Sequence, residues 1–93
     1  MGAEPLFDLG RLVSTPEALA ACISQGISPA SLIMRHVLGD DGDLDQEDKN
    51  ANKRALRDGE RIFSCYKLPD QRKCYVITEW DRSVTTLLLS DQY

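Results

Sequence analysis

Two short runs hold most of the side chains that could do acid–base or ionic chemistry. In "RHVLGDDGDLDQEDKN", Arg35 to Asn50, six of the nine residues from Asp40 to Asp48 are acidic. The chain's one histidine, His36, lies four residues before Asp40. On a helix that spacing brings two side chains to one face, so His36, Asp40 and a neighbouring Asp43 or Glu47 could orient an imidazole or hold a divalent ion. In "TEWDRS", Thr78 to Ser83, Glu79, Asp81 and Arg82 share one turn. A carboxylate beside a guanidinium can stabilise developing charge in phosphoryl or acyl transfer.

Each chemical reading has a plainer competitor. His36 in the last turn of a helix meets the negative end of the helix dipole and can cap its carbonyls. An Asp in a turn accepts local backbone N–H groups, and a neighbouring Arg forms a surface ion pair. Asp41, Asp43 and Asp45 match positions 1, 3 and 5 of a helix–loop–helix calcium loop. Gln46 stands where that loop needs glycine, and Asn52 where it needs a bidentate glutamate. With one His and no Cys-x-x-Cys, a zinc site of soft ligands is not expected either. No nucleophile accompanies the histidine in a recognisable motif and no glycine-rich phosphate loop is present, so no catalytic residue, metal or cofactor is assigned. His36, Asp40, Asp43, Glu79, Asp81 and Arg82 are instead expected at a partner contact, or bracing helices against a sheet at one shared end of the domain.

Composition bounds the partners. Of the 93 residues, 42% are apolar and 28% charged, a balance suited to one folded domain over 1–93. Net charge is −4, and the acidity is local: residues 39–60 hold eight acidic and four basic side chains. Nonspecific nucleic-acid binding depends on neutralising phosphates, so an acidic chain is a poor candidate for it. The densest basic group, Lys67, Arg72 and Lys73, reads first as a hairpin tip. No run approaches the ~20 apolar residues of a membrane span, and the first residues lack a signal-peptide pattern, so a cytoplasmic protein is expected. Cys22, Cys65 and Cys74 are then reduced, small buried hydrophobes; Cys65 and Cys74 fall on neighbouring strands that could bring them close, and the sequence leaves open whether they are.

The elements that must position these residues follow from the chain's punctuation. Leu6 to Val13 reads as a strand. Thr15-Pro16 and Ser28-Pro29 are two N-cap and first-turn pairs, with Gly26 and Gly39 closing the helices they open. The expected buried stripes are Leu19, Cys22 and Ile23 on the first helix, and Ala30, Ile33, Met34 and Val37 on the second. A third helix spans about Leu44 to Asp58, N-capped by Asp43 or Asp45, with acidic residues early and basic residues late to match its dipole. "RIFSCYKL", "KCYVITEW" and "SVTTLLLS" are rich in β-branched and aromatic residues and form a three-stranded meander. A turn at Pro69 to Arg72 pairs Tyr66 with Tyr75, Ser64 with Ile77 and Phe63 with Thr78. The result is an α+β fold in the order β-α-α-α-β-β-β. Apolar groups on both sheet faces leave one face for helices and the other for a partner, a second copy or the N-terminal strand.

The stretches "FDLGRLVSTPEAL", "RHVLGDDGDLDQEDKNAN", "RIFSCY" and "VITEWDRSVTTLLL" resemble a family of small bacterial proteins found on plasmids and other mobile elements. The patterns HVxGDxGDLDxED and ITExDRSxTTxLL carry the resemblance from Phe7 to Tyr93. Asp41 stands where that family has an aromatic residue. The resemblance implies an element-borne protein and assigns no activity. The expected function is a small, acidic, non-catalytic binder of another protein, in its sharper form an inhibitor of a restriction or CRISPR defence enzyme. The competing reading is a ribosome-dependent ribonuclease toxin, whose element order is similar and which would need Arg61, Lys67, Arg72, Lys73 and Arg82 gathered on one sheet face.

Overall fold

A computed structural model describes residues 4–93. β1 (Arg11–Ser14) leads into α1 (Pro16–Ser24), α2 (Pro29–Val37) and α3 (Gln46–Asp58). β2 (Ile62–Lys67), β3 (Lys73–Thr78) and β4 (Val84–Leu89) follow, and a 3-10 turn closes the chain at Ser90–Gln92. This is the α+β order expected. The sheet order is β1-β4-β3-β2, antiparallel except for the parallel β1–β4 pair. The N-terminal strand therefore lengthens the sheet rather than covering a face. No helix among the described residues is long and apolar enough to cross a membrane.

The helix starts behave as their caps dictate. The side chains of Thr15, Ser28 and Asp45 accept the amides of Ala18, Ser31 and Asp48. Each satisfies a donor that has no partner within its own helix. α3 thus begins at Gln46, with Asp45 rather than Asp43 as its cap.

The buried helix faces differ from the expected stripes. α1 buries Ala18, Ala21 and Cys22 and leaves Leu19 and Ile23 exposed. Small residues bring the helix close to the sheet, where Leu87, Val76 and Cys74 complete the layer. α2 buries Leu32, His36 and Val37, keeps Ile33 half-buried and exposes Ala30 and Met34. That rotation turns the imidazole inward, which a pattern counting only apolar residues does not register.

β1 is shorter than the sequence suggested. Leu6 donates its amide to Val37 O, so the first residues run along α2, and Gly10 at φ +65° turns the chain into the sheet. The meander register also differs by one residue. Tyr66 lies opposite Cys74, Cys65 opposite Tyr75, and Phe63 opposite Ile77. The cause is Gln71, which adopts a left-handed conformation at φ +79°. It converts the expected four-residue turn into the three-residue loop Pro69-Asp70-Gln71, closed by Leu68 N–H to Arg72 O at 2.7 Å.

The helices cover the face of the sheet that carries Ser64, Tyr66, Cys74, Val76, Thr78, Thr85 and Leu87. Cys22 and Cys74 are the neighbouring thiols, Sγ to Sγ 3.8 Å, rather than Cys65 and Cys74. Burial raises all three thiols above their ordinary value, Cys74 to about 12. Thiolate is the reactive form. Folded protein should therefore react with a thiol reagent only at the rate of opening, and denatured protein at once. Rapid labelling of any cysteine under native conditions would contradict this packing.

Candidate functional site

His36 is not at the surface. The residue is 1% exposed, with Nδ1 2.6 Å from Ser64 Oγ and Nε2 2.8 Å from Thr78 Oγ1. The network fixes its own proton positions. Thr85 donates its hydroxyl to Leu9 O, at 2.7 Å, so the Thr78–Thr85 bond must be donated by Thr78. Thr78 Oγ1 then accepts from Nε2–H, and Nδ1 accepts from the Ser64 hydroxyl. The ring is neutral, its pKa lowered to about 4 by burial. Phe7 meets it edge-on, centroids 5.2 Å apart. His36 thus ties α2 to three strands and to the segment before β1. Of the two roles expected for it, partner contact is excluded by burial and bracing is what the geometry performs.

Arg82 is also a brace. Its guanidinium donates to the carbonyls of Glu60, Glu79, Trp80 and Ala55, joining the C-terminal end of α3 to the β3–β4 turn. Its own backbone is left-handed at φ +59°. Asp81 accepts the amide and hydroxyl of Ser83, and these bonds hold its carboxyl below the usual range. Glu79 pairs with Arg61 at 3.2 Å. Asp40 pairs with Arg35 at 2.7 Å, which lowers its pKa, and Arg35 lies 4.4 Å from the Tyr66 ring centre. Tyr66 donates its hydroxyl to Asp40 O, and burial pushes its pKa up to about 12.

His36 reaches Thr78, at the base of the second motif, but the acidic part of the first motif, Asp40 and Asp43, does not share an end of the domain with residues 79–82. Asp43 lies beside Lys67 at the β2–β3 hairpin end, whereas residues 79–82 form the turn at the other end of β3. A strand of that length separates them by about 20 Å.

The acidic stretch answers to a different need, the outer edge of β2. Asp43 donates its amide to Cys65 O at 2.7 Å, and Cys65 donates its own to Asp41 O at 3.0 Å. Asp43 Oδ2 accepts the Lys67 amide at 3.2 Å. Asn52, on α3, donates to Phe63 O through Nδ2 and accepts the Phe63 amide through Oδ1. The outward groups of Phe63 and Cys65 and the outward amide of Lys67 are all satisfied, so this edge cannot recruit another strand. Gly42 makes the approach possible at φ +75°, since a Cβ there would collide with the Cys65 carbonyl. Sequence reasoning missed Asn52, although it sits on the thin apolar stripe of α3 between Ala51 and Ala55. It also missed Ser64 and Thr85, which alternate with apolar residues on strands and read as ordinary strand positions.

Asp43, Asp45, Glu47 and Asp48 project to solvent beyond this edge. Beside them opens a cleft of about 270 Å³ between α3 and β2. Leu44, Ala51, Ala55 and Phe63 form its apolar lining, with Asp48, Glu60 and Arg61 around it. Phe63 continues onto the face of the sheet that the helices do not cover. There it packs with Tyr75, centroids 4.6 Å apart, and both meet Tyr93 edge-on at 5.7 Å.

The basic residues do not converge. Lys67 and Lys73 are cross-strand neighbours at the hairpin end, and Arg72 there pairs with Asp70. Arg61 and Arg82 lie at the opposite end, each engaged as described. A scan against protein-family models and searches of curated proteins and of solved structures return no match.

Proposed function

We propose that this chain is a small non-catalytic binding domain whose contact surface is the cleft between α3 and β2 with its acidic border. The observation that carries the reading is an apolar hollow, floored by Leu44, Ala51 and Phe63, placed directly beside exposed Asp45, Glu47 and Asp48. An apolar side chain from a partner fills the hollow, and a neighbouring Lys or Arg of that partner meets Asp48 or Glu60. Buried anchors supply most of the affinity of such an interface, while border charges steer the encounter. Arg82 and Asp43 serve this surface indirectly, by fixing α3 and the acidic segment against the sheet, and His36 holds α2, which leads into that segment. The sharper form is an element-borne protein that occupies a basic nucleic-acid channel of a bacterial defence enzyme.

The test begins with affinity capture of a partner from a bacterial host and proceeds to purified components. Ala51→Phe should fill the hollow and weaken binding at least about tenfold. Asp48→Lys should slow association and flatten its salt dependence, because exposed charges are screened over ~8 Å at physiological ionic strength. Unchanged affinity in both folded variants would remove the cleft from the interface. Hydrolysis of RNA by the purified chain, lost in Arg61→Ala, would replace this reading with the ribonuclease one.

A further inference from the structure

The two edges of the sheet are treated differently. β2 is sealed by Asp41, Asp43 and Asn52, but among the described residues nothing pairs with the outer edge of β1. Parallel pairing with β4 uses alternate residues: Arg11 donates to Ser83 O at 3.0 Å and Thr15 to Leu87 O at 3.0 Å. By alternation Val13 also faces β4, so the N–H and C=O groups of Leu12 and Ser14 point outward. Leu12 is 53% exposed, a large apolar side chain at an open strand edge. Exposed edges of this kind are templates for another strand.

We infer that β1 pairs antiparallel with β1 of a second copy of this chain, about a two-fold axis at Val13. The spacing of the free groups is self-complementary. With Val13 opposite Val13 of the second copy, Leu12 lies opposite Ser14 in both directions. Each such pair exchanges two N–H···O bonds, so every outward group of β1 finds a partner. The arrangement is isologous and closes, because each copy has one open edge and the other edge is sealed. Two four-stranded sheets become one eight-stranded sheet. On the open face, Val13 meets its symmetry mate, and Arg11 lies across from Thr15 rather than from a second Arg11, so no like charges are opposed. On the helix-side face each Leu12 packs over Ser14 of the other copy. The cleft between α3 and β2 lies at the far edge and stays open, so this pairing is independent of the binding reading above.

The experiment is the concentration dependence of molar mass for the full chain, by sedimentation or light scattering, together with hydrogen exchange resolved by residue. The wild type should pass from monomer to dimer as concentration rises, and the Leu12 and Ser14 amides should gain protection over the same range. Leu12→Pro removes only an outward N–H and leaves the bonds to β4 intact. It should weaken dimerisation at least about tenfold while keeping a native circular dichroism spectrum. Ser14→Pro, which removes the other outward donor, should do the same and guards against one variant failing to fold. A wild type monomeric across the whole series would overturn the inference. So would a dimer that survives both proline variants, or one in which the Leu12 and Ser14 amides remain unprotected.

Discussion

Stability should fall as pH is lowered from about 6.5 to about 4, and His36 should account for most of the fall. In the folded chain the imidazole resists protonation until about 4, while in the unfolded chain it protonates near 6.5. Between those values the unfolded state binds more protons, so acid favours unfolding. The contribution is fully present above 6.5, is lost progressively through the window and levels off below about 4. At ~1.36 kcal/mol per pH unit, the separation corresponds to about 3 kcal/mol, a large share of what a domain this size possesses. The groups packed on the ring are Ser64, Thr78 and Phe7, none of which carries a charge to offset the imidazolium. Asp40 and Asp81, held low by Arg35 and by the Ser83 hydroxyl, begin to lose their contribution only at the acid end of the window. There Asp41, raised by burial, acts in the opposite sense, and all three act equally in a chain without His36. Urea midpoints at pH 7, 6, 5 and 4.5 test this, with His36→Gln as the reference that cannot titrate. A flat wild-type profile, or an equal slope in the variant, would refute the buried-neutral assignment.

The second large effect should come from Gly42. Gly42→Ala should cost about 3 kcal/mol or more, because it combines a left-handed backbone with a collision against the Cys65 carbonyl. Gly59→Ala is the internal reference. Gly59 has φ +72° against +75° for Gly42, yet a Cβ at Gly59 meets nothing within 4 Å. It should lose only about 1 kcal/mol. The difference between the two variants measures the closeness of the acidic segment to β2. Hydrogen exchange should also show the Asp43 amide released in Gly42→Ala and retained in Gly59→Ala. Equal losses in the two variants would mean that the acidic segment does not depend on close approach to that strand.

What the sequence made legible was mainly local. Thr15-Pro16, Ser28-Pro29 and the acidic start of α3 declare helices through short-range hydrogen bonding, and each helix starts where its cap lies. The β-branched and aromatic runs declare strands through side-chain sterics, which are also local. The register of the meander was not legible, because it depends on whether Gln71 turns left-handed, a conformation that Asn or Gly would have announced and Gln does not. Nor were the inward faces of α1 and α2. Their selection depends on which sheet residues wait opposite, and hydroxyls on β2, β3 and β4 drew His36 inward in place of Met34. The acidic stretch invited readings as ligand or docking charge because its backbone role is invisible in side-chain types. The site residues divide the same way: Asp40 and Asp81 make bonds within a few positions of themselves, whereas His36 and Asn52 find partners that only the completed sheet supplies.

The parallel pairing of β1 with β4 also sets an order of events. Arg11 lies beside Val84, so the chain's first strand has no partner until its last strand has been made. The meander from β2 to β4 closes short loops, whereas joining β1 closes a loop spanning most of the chain, with an entropic cost that grows as the logarithm of its length. During synthesis at ~5–20 residues per second, the segments of α1 and α2 emerge seconds before the strands they cover. In that interval Leu12 and its neighbours are bare, and the nascent chain is at its most vulnerable to a foreign strand or to a chaperone. Docking of β1 should accordingly be the slow, late step of folding, and a circular permutant that begins at β2, with β1 following β4 through the crossover a parallel pair requires, should fold faster than the natural order.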